Sequence, residues 1–245
     1  IDQALQEDSL QTVYQPIVSL KGDHQEQYQV LLRLPLESGG AMPASKFIPV
    51  AEESGQITGI DKWVLGQAMA VVTERQNQEQ PLRLFINQSG PSLGNRDRAE
   101  RIRKSIETRK LNAGNLGIEF KLPDIINQLK QAKESFQVLS DAGVLISLAA
   151  FDGSSTAFQL LDHLHVDYVK LSQNWSSDEP QTNHGHDLSG LVSSLHDAGK
   201  KVIVPAIEDA RSAARLWTSG ADFIQGNFVQ KPDHELRFDF RESAF

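Results

Sequence analysis

Between residues 82 and 225, short apolar runs alternate with longer stretches of helical character, and no other feature constrains the fold as much. The runs cover residues 82–87, 116–120, 145–148, 168–171, 201–204 and 223–225. Helices are expected over 44–53, 59–78, 97–110, 123–142, a stretch ending at Leu164, 185–198 and 209–218. Pro123 in a first turn, and Gly143, Gly199 and Gly220 just past helix ends, are boundary signals. Strands separated by helices of this length pair in parallel, because each crossover returns the chain to the same end of the sheet.

The chain begins differently. After a short lead-in helix over 1–8, residues 12–18 are β-branched and aromatic and read as a strand. Pro16 cannot donate to a ladder and predicts an edge or irregular position. Residues 28–34 form a nearly unbroken apolar run, the pattern of a strand buried on both faces. The turn Lys21-Gly22-Asp23-His24 makes these two an antiparallel hairpin. Eight strands in a chain of 245 residues give one α/β domain over 1–245, a TIM-like (βα)8 barrel with an antiparallel first strand.

Composition narrows the function. The charge of 24 − 32 = −8, with no long run of Lys or Arg, argues against a broad face for duplex nucleic acid. There is no cysteine, so disulfides and thiolate metal sites are excluded. No apolar stretch approaches the roughly 20 residues of a membrane span, and no signal peptide opens the chain, which points to the cytoplasm and to no membrane insertion. The first residue is Ile1, the mark expected of a piece cut from a longer multidomain protein.

In a barrel of this kind functional groups stand at the C-terminal ends of strands. Those ends carry Arg33, Asn87, Glu119, Lys170, Pro205 and Gln225. Two cations, a carboxylate and two amides suit an anionic, hydrogen-bonding ligand better than a metal cage. Gln29 and Arg33, four residues apart, share one face of their strand. A buried arginine requires an anion, so Arg33 is either half of a structural ion pair or a contact for an anionic ligand.

Several motifs carry a resemblance. Tyr14-Gln15-Pro16-Ile17-Val18, Leu31-Leu32-Arg33 and Phe47-Ile48-Pro49-Val50-Ala51-Glu52-Glu53-Ser54-Gly55 are similar to the opening of an EAL domain. Asn87-Gln88-Ser89, Val169-Lys170, Ile207-Glu208 and Gln225-Gly226 continue the match, which runs from about Thr12 to Pro232. The resemblance implies a TIM-like barrel with an antiparallel first strand, in a family known for hydrolysing cyclic di-GMP, a dinucleotide second messenger. It departs where that family holds its metals. The Glu-Ala-Leu signature reads Gln29-Val30-Leu31, and the paired aspartates align with Ala149-Ala150. The Glu-x-Thr-Glu element reads Glu119-Phe120-Lys121-Leu122, and Lys-Ile-Asp reads Lys170-Leu171-Ser172. The Ala-Glu-Gly-Val-Glu element reads Val204-Pro205-Ala206-Ile207-Glu208.

Two divalent ions about 4 Å apart need several anionic oxygens. Of the matching positions only Asn87 and Glu119 remain able to coordinate, beside Lys170. The expectation is a degenerate, catalytically inactive domain that binds cyclic di-GMP without any metal cofactor. Removal of neighbouring carboxylates is expected to leave Arg33 and Lys170 freer to meet phosphate. The expected ligand-binding set is Gln15, Gln29, Leu31, Arg33, Asn87, Glu119, Lys170, Pro205, Ala206, Glu208, Gln225, Gly226 and Phe228. The pattern is most similar to FimX-type regulators of type IV pili, which implies upstream signalling domains, a PilZ-domain partner and a part in twitching motility. Two other readings stay open: a weak metal-dependent phosphodiesterase with unrecognised ligands, and an interaction scaffold with no ligand.

Individual residues keep two readings. Glu208 can accept from the N1–H and N2–H edge of guanine, or pair with Arg211 one turn on. Pro205 and Phe228 can lie flat against a base, or be core. His163 with His165, and His184 with His186, have spacings that zinc can use, but neither pair has a third ligand beyond Asp162 or Asp187. Residues 178–186 read as a loop, and Trp63, Trp175 and Trp217 as packing or helix-surface residues.

Overall fold

The computed structural model describes residues 1–94, 96–176 and 187–242. The chain runs α1 (Asp2–Gln6), β1 (Gln11–Pro16), β2 (Val18–Ser19), β3 (Gln27–Pro35), β4 (Ala41–Pro43), α2 (Ala44–Glu53) and α3 (Ile57–Asn77). It continues with β5 (Arg83–Asn87), α4 (Gly90–Leu93), α5 (Arg96–Arg109), β6 (Leu116–Lys121), α6 (Leu122–Ile126), α7 (Leu129–Asp141) and β7 (Leu145–Phe151). The last elements are α8 (Ser155–His163), β8 (Tyr168–Leu171), α9 (Leu188–Asp197), β9 (Lys201–Val204), α10 (Ala210–Trp217) and β10 (Phe223–Ile224).

The strands form one sheet in the order β1-β3-β5-β6-β7-β8-β9-β10-β2. β1 pairs antiparallel with β3, and β2 antiparallel with β10. β1 and β2 are successive pieces of one segment, so that segment joins both ends of the sheet and closes a barrel. The strand expected over 12–18 is therefore two. Pro16 has no N–H and ends β1, and Ile17 donates to the Gln27 carbonyl at 2.9 Å where the segment passes from one neighbour to the other. From β3 through β10 every neighbouring pair in the ring is parallel.

Other elements also differ from expectation, among them the unexpected short helix α4. The helix expected over 123–142 is two, α6 and α7, because Gln128 leaves helical geometry at φ −137°, ψ 33°. No Gly or Pro marks that break, so the sequence reads straight through it. β4 was not expected. It folds back on the end of β3, pairing Pro43 with Arg33. Residues 177–186, which hold all of the expected loop, the His184/His186 pair and the expected start of α9, lie outside the described residues.

Strand alternation stacks the barrel interior in layers. Ile17, Phe85, Tyr168, Ile203 and Phe223 form a buried apolar plug inside the ring, with Leu145 against it. Gly117 makes the plug possible, since a Cβ there would stand 2.5 Å from the Phe85 ring. The larger apolar cluster lies between the barrel and its helices.

Candidate functional site

Two residues beyond the plug, on the same inward face, stand Asn87, Glu119, Ser147, Lys170, Pro205 and Gln225. β3 contributes Gln29, registered against Phe85 of β5, and β1 contributes Gln15, registered against Gln29. The period of two thus lays a polar floor directly on an apolar plug. Above it opens a cavity of about 320 Å³ lined by Gln15, Gln29, Leu31, Asn87, Glu119, Lys170, Gln173, Pro205, Ala206, Glu208, Gln225, Gly226, Asn227 and Pro232.

At one side of the floor, the Lys170 ammonium donates to the Glu119 carboxylate at 2.9 Å and to Gln29 Oε1. Ser147 Oγ donates to the second Glu119 oxygen at 2.9 Å. All of these groups are buried. Lys170 is therefore not the freed cation expected from the loss of neighbouring carboxylates. Glu119 neutralises it, because a buried ammonium without a counter-charge would be strongly unfavourable. Gln29 spends its oxygen on Lys170 and keeps a buried Nε2 with no partner.

At the other side, Gln225 Nε2 donates to Gln15 Oε1 at 2.9 Å, and Gln15 Nε2 donates to the Gln230 carbonyl at 3.1 Å and to Asn227 Oδ1 at 3.4 Å. Asn227 Nδ2 in turn donates to both oxygens of Glu208, at 3.2 and 3.0 Å. Among the described residues Glu208 has this amide as its partner and makes no ion pair with Arg211. Gly226 allows this arrangement. A Cβ there would stand 2.1 Å from the Ile207 carbonyl oxygen, so only glycine lets the two backbones meet. Ile207 N–H donates to the Gln225 carbonyl, and Phe228 N–H to the Ile207 carbonyl, fastening the segments together. Just before them Ala206 takes a left-handed backbone, φ +59°.

Of the thirteen residues expected at the site, eleven line this cavity; Arg33 and Phe228 do not. Arg33 lies two residues beyond Leu31 on β3, about 7 Å further toward the rim. It is half-buried, it donates to the Leu32 carbonyl at 2.9 Å, and among the described residues no carboxylate lies within ion-pair distance. Phe228 is half-buried against the core. Gln173, Asn227 and Pro232 are lining residues that the sequence reading missed. Asn227 follows the motif glycine and could have been found on that ground; Gln173 and Pro232 had no signal. Among the described residues no three His, Cys, Asp or Glu stand together as a metal-holding group, and His165 faces Asp167 at 3.6 Å. Trp175 is buried, and Trp217 is half exposed on its helix.

A polar loop also borders the site. Asn87 is followed by Gln88 and Ser89, and buried Asp61 of α3 accepts from the Ser89 N–H at 3.0 Å and from the hydroxyls of Ser89 and Ser92. The carboxylate thereby caps the start of α4 and fixes the backbone that leaves Asn87.

Comparison with known proteins agrees with this fold. The FimX EAL domain of Pseudomonas aeruginosa bound to c-di-GMP superposes with a TM-score of 0.88 at 32% identity, over 98% of this chain and 97% of that one. The Xanthomonas citri FimX EAL domain in complex with c-diGMP gives a TM-score of 0.89 at 24% identity, over 98% of this chain and 94% of that one. Among curated relatives, the cyclic di-GMP phosphodiesterase NbdA of Pseudomonas aeruginosa is 24% identical over 94% of this chain and 30% of its own length. An uncharacterized 76.5 kDa protein of Thiocystis violacea is 30% identical over 100% of this chain and 35% of its own. The chain thus spans about a third of the curated relatives it matches. No helix among the described residues is long and apolar enough to cross a membrane. The model of the EAL domain family matches residues 1–232, and the chain belongs to that family.

Proposed function

We propose that this domain is a receptor that binds cyclic di-GMP without a divalent metal and leaves it uncleaved. The observation that carries the reading is the state of Glu119. Among the described residues it is the one carboxylate on the cavity floor, and its oxygens are already taken by the Lys170 ammonium and the Ser147 hydroxyl. A pair of divalent ions needs several anionic oxygens, and the other acidic lining residue, Glu208, is held at the opposite side by Asn227. This donor set does not suit such a pair.

The same residues suit a phosphate-bearing ligand. Gln29 Nε2 is a buried donor with no partner, and Arg33 is a guanidinium with no described carboxylate beside it. A planar guanidinium matches a phosphodiester oxygen pair, and the Glu208 carboxylate can accept from the guanine edge. The likeness to a FimX EAL domain bound to c-di-GMP, at 32% identity, supports the same ligand. We extend the reading to a signalling role in type IV pilus control, in which a PilZ-domain protein joins the liganded form. If so, the partner raises ligand affinity by the factor by which ligand raises partner affinity; equal partner affinity with and without ligand removes that extension.

Calorimetric titration with cyclic di-GMP in EDTA, run beside a hydrolysis assay in Mg²⁺ or Mn²⁺, tests the core reading. The expected result is one binding isotherm unaffected by EDTA and no linear dinucleotide. Turnover that a chelator abolishes points to the phosphodiesterase reading, and no binding under either condition points to a scaffold.

A further inference from the structure

We infer that Asn227 is a positioning residue that sets the base selectivity of the site, by holding the exposed Glu208 carboxylate in its reading position and fixing which way the floor amides face. The inference rests on the reading of the cavity as a cyclic di-GMP site with Glu208 at the base. An exposed glutamate ordinarily samples several rotamers, and ordering one for recognition costs binding free energy. Here the Asn227 amide nitrogen bonds both Glu208 oxygens before any ligand arrives, at 3.2 and 3.0 Å.

The chain of amides has a direction. Because Asn227 gives its nitrogen to Glu208, its Oδ1 faces Gln15 Nε2. Gln15 then turns its Oε1 toward Gln225 Nε2. Gln225 is left presenting Oε1, buried and without a partner, as an acceptor at the cavity floor. Glu208 can only accept, so reversing any amide would set two acceptors or two donors face to face. A carboxylate at the rim and a buried acceptor below it, oriented by one residue, both favour a ligand whose base and sugar edges offer donors. Guanine offers the N1–H and N2–H pair; adenine presents an acceptor at N1.

The test compares cyclic di-GMP with cyclic di-AMP on the intact domain, by calorimetry, for the unmodified protein, Asn227→Ala, Glu208→Gln and the double variant. Asn227 is exposed, so Asn227→Ala should leave the thermal midpoint nearly unchanged. The expected result is that Asn227→Ala weakens cyclic di-GMP by roughly tenfold to a hundredfold, the worth of a charge-assisted hydrogen bond, while cyclic di-AMP affinity holds. Added to Glu208→Gln, the same change should cost little more, because the two act as one unit. Equal loss for both dinucleotides, full additivity with Glu208→Gln, or no loss at all overturns the inference. Failure of the unmodified domain to bind cyclic di-GMP overturns the receptor reading and this inference with it, whereas binding indifferent to Asn227 overturns this inference alone.

Discussion

Replacement of Glu119 by glutamine tests the charge balance of the floor. Lys170 and Glu119 are in contact at 2.9 Å, with their side chains 8% and 3% exposed. At an effective dielectric of about 20 the attraction at that distance is roughly 6 kcal/mol, most of it offset by the desolvation of both ions. Removing one member leaves the other charged and buried, which costs about 3–5 kcal/mol. Glutamine keeps the shape and one acceptor oxygen, so Glu119→Gln should fall near the lower bound, about 3 kcal/mol. For a domain of this size that lowers Tm by about 6–12 °C. Lys170→Met should cost a similar amount by stranding the Glu119 carboxylate. The double variant removes both charges and should be less destabilised than the sum of the singles by at least about 2 kcal/mol. Ligand binding should follow the same logic. Lys170→Met alone leaves a net negative charge in the cavity and should weaken a dianionic ligand, and Glu119→Gln added to it should recover most of the affinity. Thermal and urea unfolding of the four proteins, with calorimetry on each, decides the matter. Simple additivity in stability would refute the reasoning, since it would mean that the two groups do not compensate one another.

Arg33→Ala should weaken cyclic di-GMP binding about tenfold to a hundredfold, with Arg33→Lys recovering only part; an unchanged Kd in EDTA removes Arg33 from the phosphate contact. Gln29→Glu should give no measurable hydrolysis in Mn²⁺, because Ala149 and Ala150 still supply no carboxylate and the new one faces Lys170; recovered turnover would show that the metal ligands have been misassigned. Burial raises the Asp222 carboxyl, but hydrogen bonds from Lys21, the Val202 N–H and His196 outweigh it and leave the carboxyl below its ordinary range. A depressed carboxyl adds stability above its unfolded pKa of about 3.9, lost as pH falls toward the folded value. Asp222→Asn should therefore lower Tm at pH 7, and the gap to the unmodified protein should shrink as the pH drops below about 4; a constant gap across that window would count against it.

The strands and most of the cavity floor were legible because both follow from a period of two; the loop residues Ala206, Glu208 and Gly226 came from the motif resemblance. Once 82–87 is a barrel strand with Phe85 inside, Asn87 must be inside as well, and the same step leads from Tyr168 to Lys170 and from Phe223 to Gln225. What the sequence did not carry was which polar groups pair with each other. Lys170 read as a free cation because its partner lies 51 positions away on β6. Pairing with Arg211 stayed open for Glu208 beside guanine recognition, because a helical neighbour is visible in sequence and Asn227 across a loop is not. The split between α6 and α7 left no trace because no residue type at the break demands one.

The closing segment Gln11–Ser19 also has a temporal meaning. β1 can find β3 as soon as the hairpin is made, but β2 waits for β10, about two hundred residues later in the chain. Until Phe223 and Ile224 arrive, the growing sheet has an unpaired rim on β2 and another on its latest strand, both able to recruit a second chain. The last seam to be sewn is therefore between β2, near the start of this domain, and β10, near its end. Such a long-range seam is slow to form. Pulse-labelling hydrogen exchange during refolding should show Val18, Ser19 and β10 gaining protection together and after β5–β8. Early protection of β2 would mean that the ring closes by another order.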